Sequence, residues 1–332
     1  MDSLVSLSPS SAFATSLSFE GIDSDDEVIF QFLPLIRVYR SGRVERLVGM
    51  ETVPAAFDLP TGVLSKDIVI DPTTGVSARL YLPVSSLSAI SGKLPVLVYF
   101  HGGGFLIESP FSPTYHPHLN DLSSLGPLLA VSVNYRLAPE HPLPTAYEDS
   151  WAALQWVLSR ADTWLSGWGD FGRVYLGGDS AGANICQEMA VRAGKEGVKA
   201  IKGMALVCPY FWGEKPVGTE DSDPSFRGDM ERLWRFLFPG TIGLEDPRID
   251  PVAETAPSLA MLGCRRVLVA VAGKDMLWNR GWLYYERLKS SSWEGVAEMV
   301  DVPNVEHIFH ILQPETDEAR PMTKRLTDFF AQ

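Results

Sequence analysis

The sequence predicts an α/β fold with a mostly parallel central sheet and helices on both of its faces. Three observations support this prediction. Short apolar runs recur along the chain, helix-compatible stretches separate them, and glycine clusters follow two of the runs. Strands buried on both faces appear as nearly continuous apolar segments. Their alternation with helices indicates a parallel sheet.

The predicted strands are 66–70, 78–82, 95–100, 128–133, 173–178, 203–208, 266–272 and 297–302. The predicted helices lie near 147–160, 181–195, 278–290 and 317–331. Residues 28–50 mix apolar and basic side chains and predict a short helix or hairpin. The stretch 211–250 is rich in Trp, Phe, Pro and Gly and breaks the alternation, so we interpret it as an insertion over one end of the sheet.

Composition excludes several classes of protein. The 332 residues are 45% hydrophobic and 21% charged, which is typical of a globular chain that needs no disulfide or metal to stabilise its core. The net charge of −13 argues against nucleic acid or an anionic membrane as the main partner. No apolar run approaches the roughly 18 residues of a membrane-spanning helix.

Three widely separated cysteines, Cys186, Cys208 and Cys264, show no metal-binding spacing and are predicted to be inert buried thiols. We therefore expect neither a metal nor a cofactor. Residues 1–27 predict a flexible tail, followed by one domain over 28–332. Because no Lys or Arg precedes Arg37, we expect a cytoplasmic protein, with a plastid as the alternative if the tail is a transit peptide.

The strongest local motif is Gly178-Asp179-Ser180-Ala181-Gly182, between a predicted strand and a predicted helix. This G-x-S-x-G pattern in that context is typical of a nucleophile elbow, a sharp turn that exposes the serine hydroxyl. The flanking glycines are expected because such a turn leaves no room for Cβ atoms. The amino terminus of the following helix favours developing negative charge.

A second motif, His101-Gly102-Gly103-Gly104-Phe105, directly follows the strand 95–100. Consecutive glycines allow backbone N–H groups to approach a substrate carbonyl and stabilise the oxyanion that forms in acyl transfer. The expected donors are the amides of Gly103 and Gly104, together with that of Ala181 after the nucleophile.

A serine nucleophile needs a base, and the base needs an acid that orients it. If the chain follows the order Ser, then Asp or Glu, then His, only His307 and His310 can be the base. Asp275 is the preferred acid because it follows a predicted strand, and the carboxyl ends of parallel strands face the active-site edge. Asp246 and Asp250 are weaker candidates, since neither follows a clear strand.

These motifs resemble those of plant carboxylesterases of the hormone-sensitive-lipase-like group of α/β-hydrolases. The matching segments are 37–46, 63–67, 101–105, 108–116, 135–144, 178–184 and 307–310. The resemblance implies a triad of Ser180, Asp275 and His307, with an oxyanion hole at Gly103, Gly104 and Ala181. It also implies a small helical cap built from about 28–50 and part of 211–250.

The resemblance implies a serine carboxylesterase that hydrolyses a small-molecule ester. Some similar proteins use the fold differently, and two alternatives follow. One is a dehydratase, cyclase or acyltransferase of plant specialised metabolism. The other is a non-catalytic receptor, as in the gibberellin receptor, which lacks the catalytic histidine; the presence of His307 argues against this alternative.

Overall fold

The computed structural model describes residues 26–84, 87, 92–222 and 224–332. Nearly all of the tail predicted over 1–27 lies outside these residues. The three cysteines are buried and unpaired, as the sequence predicted.

The first described segment is a small antiparallel sheet, so the hairpin alternative for 28–50 was correct. Its strands are β1 (Val28–Phe32), β2 (Ile36–Tyr39) and β3 (Val44–Arg46). The amino-terminal half of the predicted cap is therefore made of strands and not of helices.

The central sheet has nine strands, and six of them run parallel. Their order is β12-β11-β10-β9-β7-β8-β6-β5-β4, with the three antiparallel strands at one side. The strands are β4 (Phe57–Asp58), β5 (Val63–Asp71), β6 (Val76–Leu82), β7 (Leu94–Phe100), β8 (Leu129–Asn134), β9 (Gly169–Asp179), β10 (Ile201–Val207), β11 (Arg266–Ala272) and β12 (Val296–Val302).

Helices cover both faces of this sheet, as predicted. They are α1 (Tyr115–Leu125), α2 (Thr145–Leu158), α3 (Thr163–Trp168), α4 (Ala181–Glu196), α5 (Pro224–Leu237), α6 (Trp278–Ser290), α7 (Phe309–Leu312) and α8 (Ala319–Phe330). Buried residues of α2, α4 and α6 join one apolar cluster, and those of α1, α7 and α8 join a second. Every residue of β7 is buried because it packs between these clusters.

The helices α1, α3, α5 and α7 were not predicted. The first turn of α1 contains two histidines and a proline, which hide its apolar face in the sequence. In α5, charged residues are interspersed among the four buried positions, Met230, Leu233, Trp234 and Leu237. That spacing defines a helix that is apolar on one side only.

The segment 28–50 and helix α5 contact each other over one end of the sheet. The rings of Phe30 and Phe236 stack with their centroids 3.6 Å apart. A buried ion pair between Arg280 of α6 and Glu220 links the segment before α5 to the body of the protein. In the part of the chain that the structure describes, every helix is too short or too polar to cross a lipid bilayer.

His118 on α1 gives the fold a predicted pH dependence. Burial lowers the pKa of this imidazole from 6.5 to about 3, so the ring stays neutral in the folded state. The unfolded chain takes up a proton at His118 below pH 6.5, whereas the folded chain does not. Relative to the unfolded chain, the folded state is therefore fully stable above pH 6.5, and protonation of His118 in the unfolded chain lowers the unfolding free energy as the pH falls towards 3.

Lowering the pH from 7 to 4.5 should reduce the unfolding free energy of His118→Leu less than that of the wild type. The difference from wild type should be up to about 2–3 kcal/mol, measured by urea unfolding at both pH values. His141→Leu is the matched control because His141 is exposed. A His118→Leu variant that keeps the wild-type pH dependence would contradict the prediction.

Candidate active site

The functional candidates meet at the carboxyl edge of the parallel strands. The glycine motif follows β7, Ser180 follows β9, Asp275 follows β11 and His307 follows β12. Because adjacent parallel strands end at the same edge, residues far apart in sequence become neighbours there.

Ser180 occupies a strained turn between β9 and α4. Its φ of 52° and ψ of −118° are unfavourable for a residue with a side chain. Three hydrogen bonds hold the turn: the Ser180 amide donates to the Val207 carbonyl at 2.9 Å, and the Ser180 carbonyl accepts from the amides of Asn184 at 3.1 Å and Tyr210 at 3.0 Å. The turn exposes Ser180 to a cavity.

The glycines that flank Ser180 are required by close contacts. A Cβ atom on Gly182 would lie 1.9 Å from the carbonyl oxygen of Phe100, and one on Gly178 would lie 2.5 Å from the backbone of Gly182. The absence of both side chains lets the serine turn pack against the end of β7, as the motif predicted.

The loop 101–104 presents free backbone donors to the same cavity. Among the described residues, the Gly103 and Gly104 amides donate no hydrogen bond, and both glycines line the cavity. Ala181 is the first residue of α4, where amide groups have no partner within the helix. All three predicted oxyanion donors therefore belong to segments at this edge of the sheet.

Tyr115 connects this loop to the serine turn. The Gly102 amide donates to the Tyr115 hydroxyl at 2.7 Å, and that hydroxyl donates to Asp179 at 2.7 Å. Tyr99 donates to the other Asp179 oxygen at 2.7 Å. Burial raises the pKa of Asp179 to about 6, although the two tyrosine hydroxyls act in the opposite direction.

The sequence analysis missed the roles of Tyr99, Tyr115 and Asp179. Asp179 lies inside the serine motif, which was the one available signal. The tyrosines come from β7 and α1, and only the fold brings them to this carboxyl group. Tyr135, just after β8, also supports the glycine loop, because its hydroxyl donates to the His101 carbonyl at 2.7 Å.

His307 and Asp275 form a direct hydrogen bond. The distance from His307 Nδ1 to Asp275 Oδ2 is 2.6 Å, and the Leu277 amide donates to the other carboxylate oxygen at 2.9 Å. Burial alone would lower the pKa of His307, but the hydrogen bond to Asp275 and its negative charge raise that pKa above 6.5. The imidazole is thereby oriented and its protonated form stabilised.

The other candidates for base and acid lie elsewhere. His310 is buried on α7 with its ring against that of His118, and its pKa is far below normal because of burial. Asp246 bonds to Thr241 and Arg248, and Asp250 lies near Arg280. Of the alternatives that the sequence left open, only His307 and Asp275 are bonded to each other.

Ser180, Asp275 and His307 line one cavity of about 550 Å³. Its other walls are mostly apolar. Phe32, Leu35 and Val48 come from the segment 28–50, and Phe226, Met230 and Leu233 come from α5. The two segments predicted as a cap thus both contribute to this cavity.

One group of potential metal ligands occurs among the described residues. The sulfur of Cys208, a carboxylate oxygen of Asp275 and a ring nitrogen of His307 lie within 4.8 Å of one another. Within this group, the carboxylate of Asp275 and the imidazole of His307 are bonded to each other.

Comparison with known proteins agrees with this geometry. A family model described as the alpha/beta hydrolase fold matches residues 97–311. The chain is 46% identical to probable carboxylesterase 2 of Arabidopsis thaliana over 92% of this chain and 97% of that protein. It is 44% identical to 2-hydroxyisoflavanone dehydratase of Glycyrrhiza echinata over 91% of this chain and 96% of that protein.

Among solved structures, the chain is similar to EstE1, a thermostable carboxylesterase cloned from a metagenomic library. The TM-score is 0.69 at 29% sequence identity, and the match covers 80% of this chain and 88% of that one.

The His307–Asp275 bond leads to a prediction about titration. In Asp275→Asn the negative charge is gone while burial remains, so the pKa of His307 should fall from above 6.5 to below it. Titration of the ring by NMR measures this change. Asp71→Asn, at the end of β5 and outside the cavity lining, is the control. An unchanged His307 pKa in Asp275→Asn would contradict the assignment.

Proposed function

The chain belongs to the α/β-hydrolase family, and we propose that it is a serine carboxylesterase that hydrolyses small carboxylic esters. The observation that carries this proposal is the 2.6 Å bond between His307 and Asp275, on the wall of the cavity that Ser180 lines. A strained serine and an oriented imidazole that line the same cavity are the components that activate a hydroxyl nucleophile.

In the first half of the reaction, Ser180 Oγ attacks the ester carbonyl carbon while His307 takes the hydroxyl proton. His307 then donates this proton to the alcohol as the carbon–oxygen bond breaks, which leaves an acyl-enzyme. Asp275 keeps Nδ1 of His307 protonated, so that Nε2 is the nitrogen able to accept. The charge of Asp275 also stabilises the imidazolium that forms.

The tetrahedral intermediate carries a negative charge on the former carbonyl oxygen. The amides of Gly103, Gly104 and Ala181 stabilise this charge, and the amino terminus of α4 adds a favourable dipole. Tyr115 and Asp179 hold the glycine loop against the serine turn, so the donors are in place before the reaction starts.

In the second half, water attacks the acyl-enzyme. His307 removes the proton from water and returns it to Ser180 as the acid leaves. The apolar walls favour an ester with a hydrophobic acyl or alcohol group, because burial of such a group supplies binding energy.

The similarity to a dehydratase supports a second candidate, an elimination in the same pocket. Acyl transfer to an alcohol is also compatible with a triad, since an alcohol can replace water. Product analysis separates these reactions. Hydrolysis gives equal amounts of acid and alcohol, and acyl transfer gives a new ester. Elimination by a dehydratase releases water and forms a carbon–carbon double bond without cleaving an ester.

The domain organisation is part of the proposal. One hydrolase domain spans 28–332, with a cap formed by 28–50 and part of 211–250. Stacking of Phe30 on Phe236 and the cavity walls support this division. A cytoplasmic location, or a plastid location directed by the tail, stays a prediction.

We expect wild-type protein to hydrolyse 4-nitrophenyl acetate, butyrate and octanoate, and Ser180→Ala to lose at least about 10⁴-fold in kcat. The substitution removes the nucleophile and leaves the turn intact, so circular dichroism should be unchanged. Substantial acyl-enzyme formation by folded Ser180→Ala would exclude Ser180 as the nucleophile.

The two histidines provide a matched control for the base. His307→Ala should be as inactive as Ser180→Ala, whereas His310→Ala should retain turnover at the pH optimum. The reverse result would show that the base is His310.

The glycine loop allows a separate prediction. Both Gly103 and Gly104 have positive φ, 94° and 62°, but their surroundings differ. A Cβ on Gly103 would lie 2.4 Å from the Ile107 carbonyl oxygen, while the nearest atom to one on Gly104 is 3.7 Å away. Gly103→Ala must therefore shift the loop, whereas Gly104→Ala has room for its Cβ and carries only the backbone strain of a positive φ.

We expect Gly103→Ala to lower kcat by about 10²-fold or more, a loss typical of a misplaced oxyanion donor. Gly104→Ala should lose much less. Steady-state kinetics with 4-nitrophenyl butyrate measures both. Equal losses in the two variants would mean that the position of the loop does not control turnover.

A further inference from the structure

A buried thiol lies beside the acid–base pair, although none of the motifs includes it. Cys208 directly follows β10, between the strands that precede Ser180 and Asp275. Only 2% of Cys208 is exposed, and its sulfur lies within 4.8 Å of both a carboxylate oxygen of Asp275 and a ring nitrogen of His307. This position is specific to the site, because the other two cysteines lie elsewhere in the core.

The backbone holds Cys208 in an unusual conformation. Its φ of 44° lies in the left-handed region, which is unfavourable for a residue with a Cβ atom. Its amide donates to the Ala270 carbonyl of β11 at 2.8 Å, and the amide of Tyr210 donates to the Ser180 carbonyl at 3.0 Å. The conformation of this turn therefore aims the thiol at the ends of the neighbouring strands.

The sulfur lies near both members of the acid–base pair. The sulfur lies within 4.8 Å of a carboxylate oxygen of Asp275, and the backbone N–H of Ile308 acts to lower the pKa of the thiol. Burial keeps the pKa of Cys208 well above its usual value, and the charge of Asp275 raises it further. The thiol is neutral and can act as a donor, and as a buried neutral group it is not a competing nucleophile.

We propose that Cys208 is a positioning residue for the triad. Its S–H gives the Asp275 carboxylate a donor besides His307 and the Leu277 amide, which limits rotation of the carboxylate. Its sulfur accepts from Ile308 and so holds the loop that carries His307. The inference rests on the proposed function, because it assigns Cys208 a role through Asp275 and His307.

This role differs from that of a residue that only fills space. If Cys208 only fills space, Cys208→Ala should retain at least as much activity as Cys208→Ser, because Ser places a more polar group of similar size in a buried position. A donor to Asp275 predicts the opposite order, since Ser keeps a hydrogen-bond donor and Ala does not. The rank of these two variants therefore distinguishes the interpretations.

The test uses the full-length chain and the variants Cys208→Ala and Cys208→Ser with 4-nitrophenyl butyrate. We expect Cys208→Ala to lower kcat about tenfold, the loss of one hydrogen bond to a charged group, with KM changed by less than roughly twofold. Cys208→Ser should recover most of this loss. Cys264→Ala and Cys264→Ser, at a buried thiol outside the site, should both match wild type.

The pH profile supplies a second readout. A hydrogen-bond donor withdraws charge from the Asp275 carboxylate. Removal of the thiol therefore leaves the carboxylate more negative, and this raises the pKa of His307. The acid limb of the kcat/KM profile should therefore move to higher pH in Cys208→Ala and return in Cys208→Ser. A role in packing alone would not move this limb in that order.

Cys208→Gly is a second variant without the thiol, for use if Cys208→Ala does not fold, because glycine adopts a φ of 44° without strain. It also removes the thiol, so it should lose kcat as Cys208→Ala does. Wild-type kcat in folded Cys208→Ala or Cys208→Gly, or a Ser variant no better than Ala, would overturn the inference.

The proposed function fails in a different way. If wild-type protein does not hydrolyse esters, or if Ser180→Ala is equally active, the triad itself is wrong. If turnover depends on Ser180 and His307 but not on residue 208, only the role of Cys208 is wrong.

Discussion

The close approach of the serine turn to the end of β7 is the contact on which the site depends. Gly182 lies so near the Phe100 carbonyl that a single methyl group there would overlap backbone atoms. This contact sets the distance between the strained serine and the glycine loop that leaves the same strand. Any side chain at Gly182 would push the two apart and separate the proposed nucleophile from the proposed oxyanion donors.

A buried polar network maintains that approach. Asp179 accepts hydrogen bonds from Tyr99 and Tyr115, and Tyr115 also accepts one from the Gly102 amide. A carboxyl group with no exposed surface is costly to desolvate unless it is paired with donors. The network satisfies this requirement and at the same time joins β7, α1 and the serine turn. Strain at Ser180 persists because these surrounding contacts outweigh it.

The cavity joins two chemically different halves. Its floor carries the serine, the imidazole and the backbone donors, while the walls from 28–50 and α5 are apolar. In the proposed mechanism, the apolar walls lower the local dielectric around the developing charge, which strengthens each electrostatic contact. The floor is built by strand ends, whereas the walls come from segments that pack on top of the sheet. Substrate preference can therefore vary through the walls without altering the acid–base pair.

The sequence by itself determined the α/β class, the order of the central strands along the chain and the serine and glycine motifs, because local patterns encode these features. A buried strand has a continuous apolar run, and a sharp turn requires glycine at fixed offsets. Sequence reasoning could not choose between His307 and His310 without the family resemblance, and it missed α1, α5, Tyr115 and Cys208. Their positions depend on contacts between residues distant in the chain: His307 approaches Asp275 across two adjacent strands, and Cys208 reaches both from a third. Only the tertiary structure decides such contacts, because strand order in the sheet, rather than spacing in the sequence, sets which loops meet.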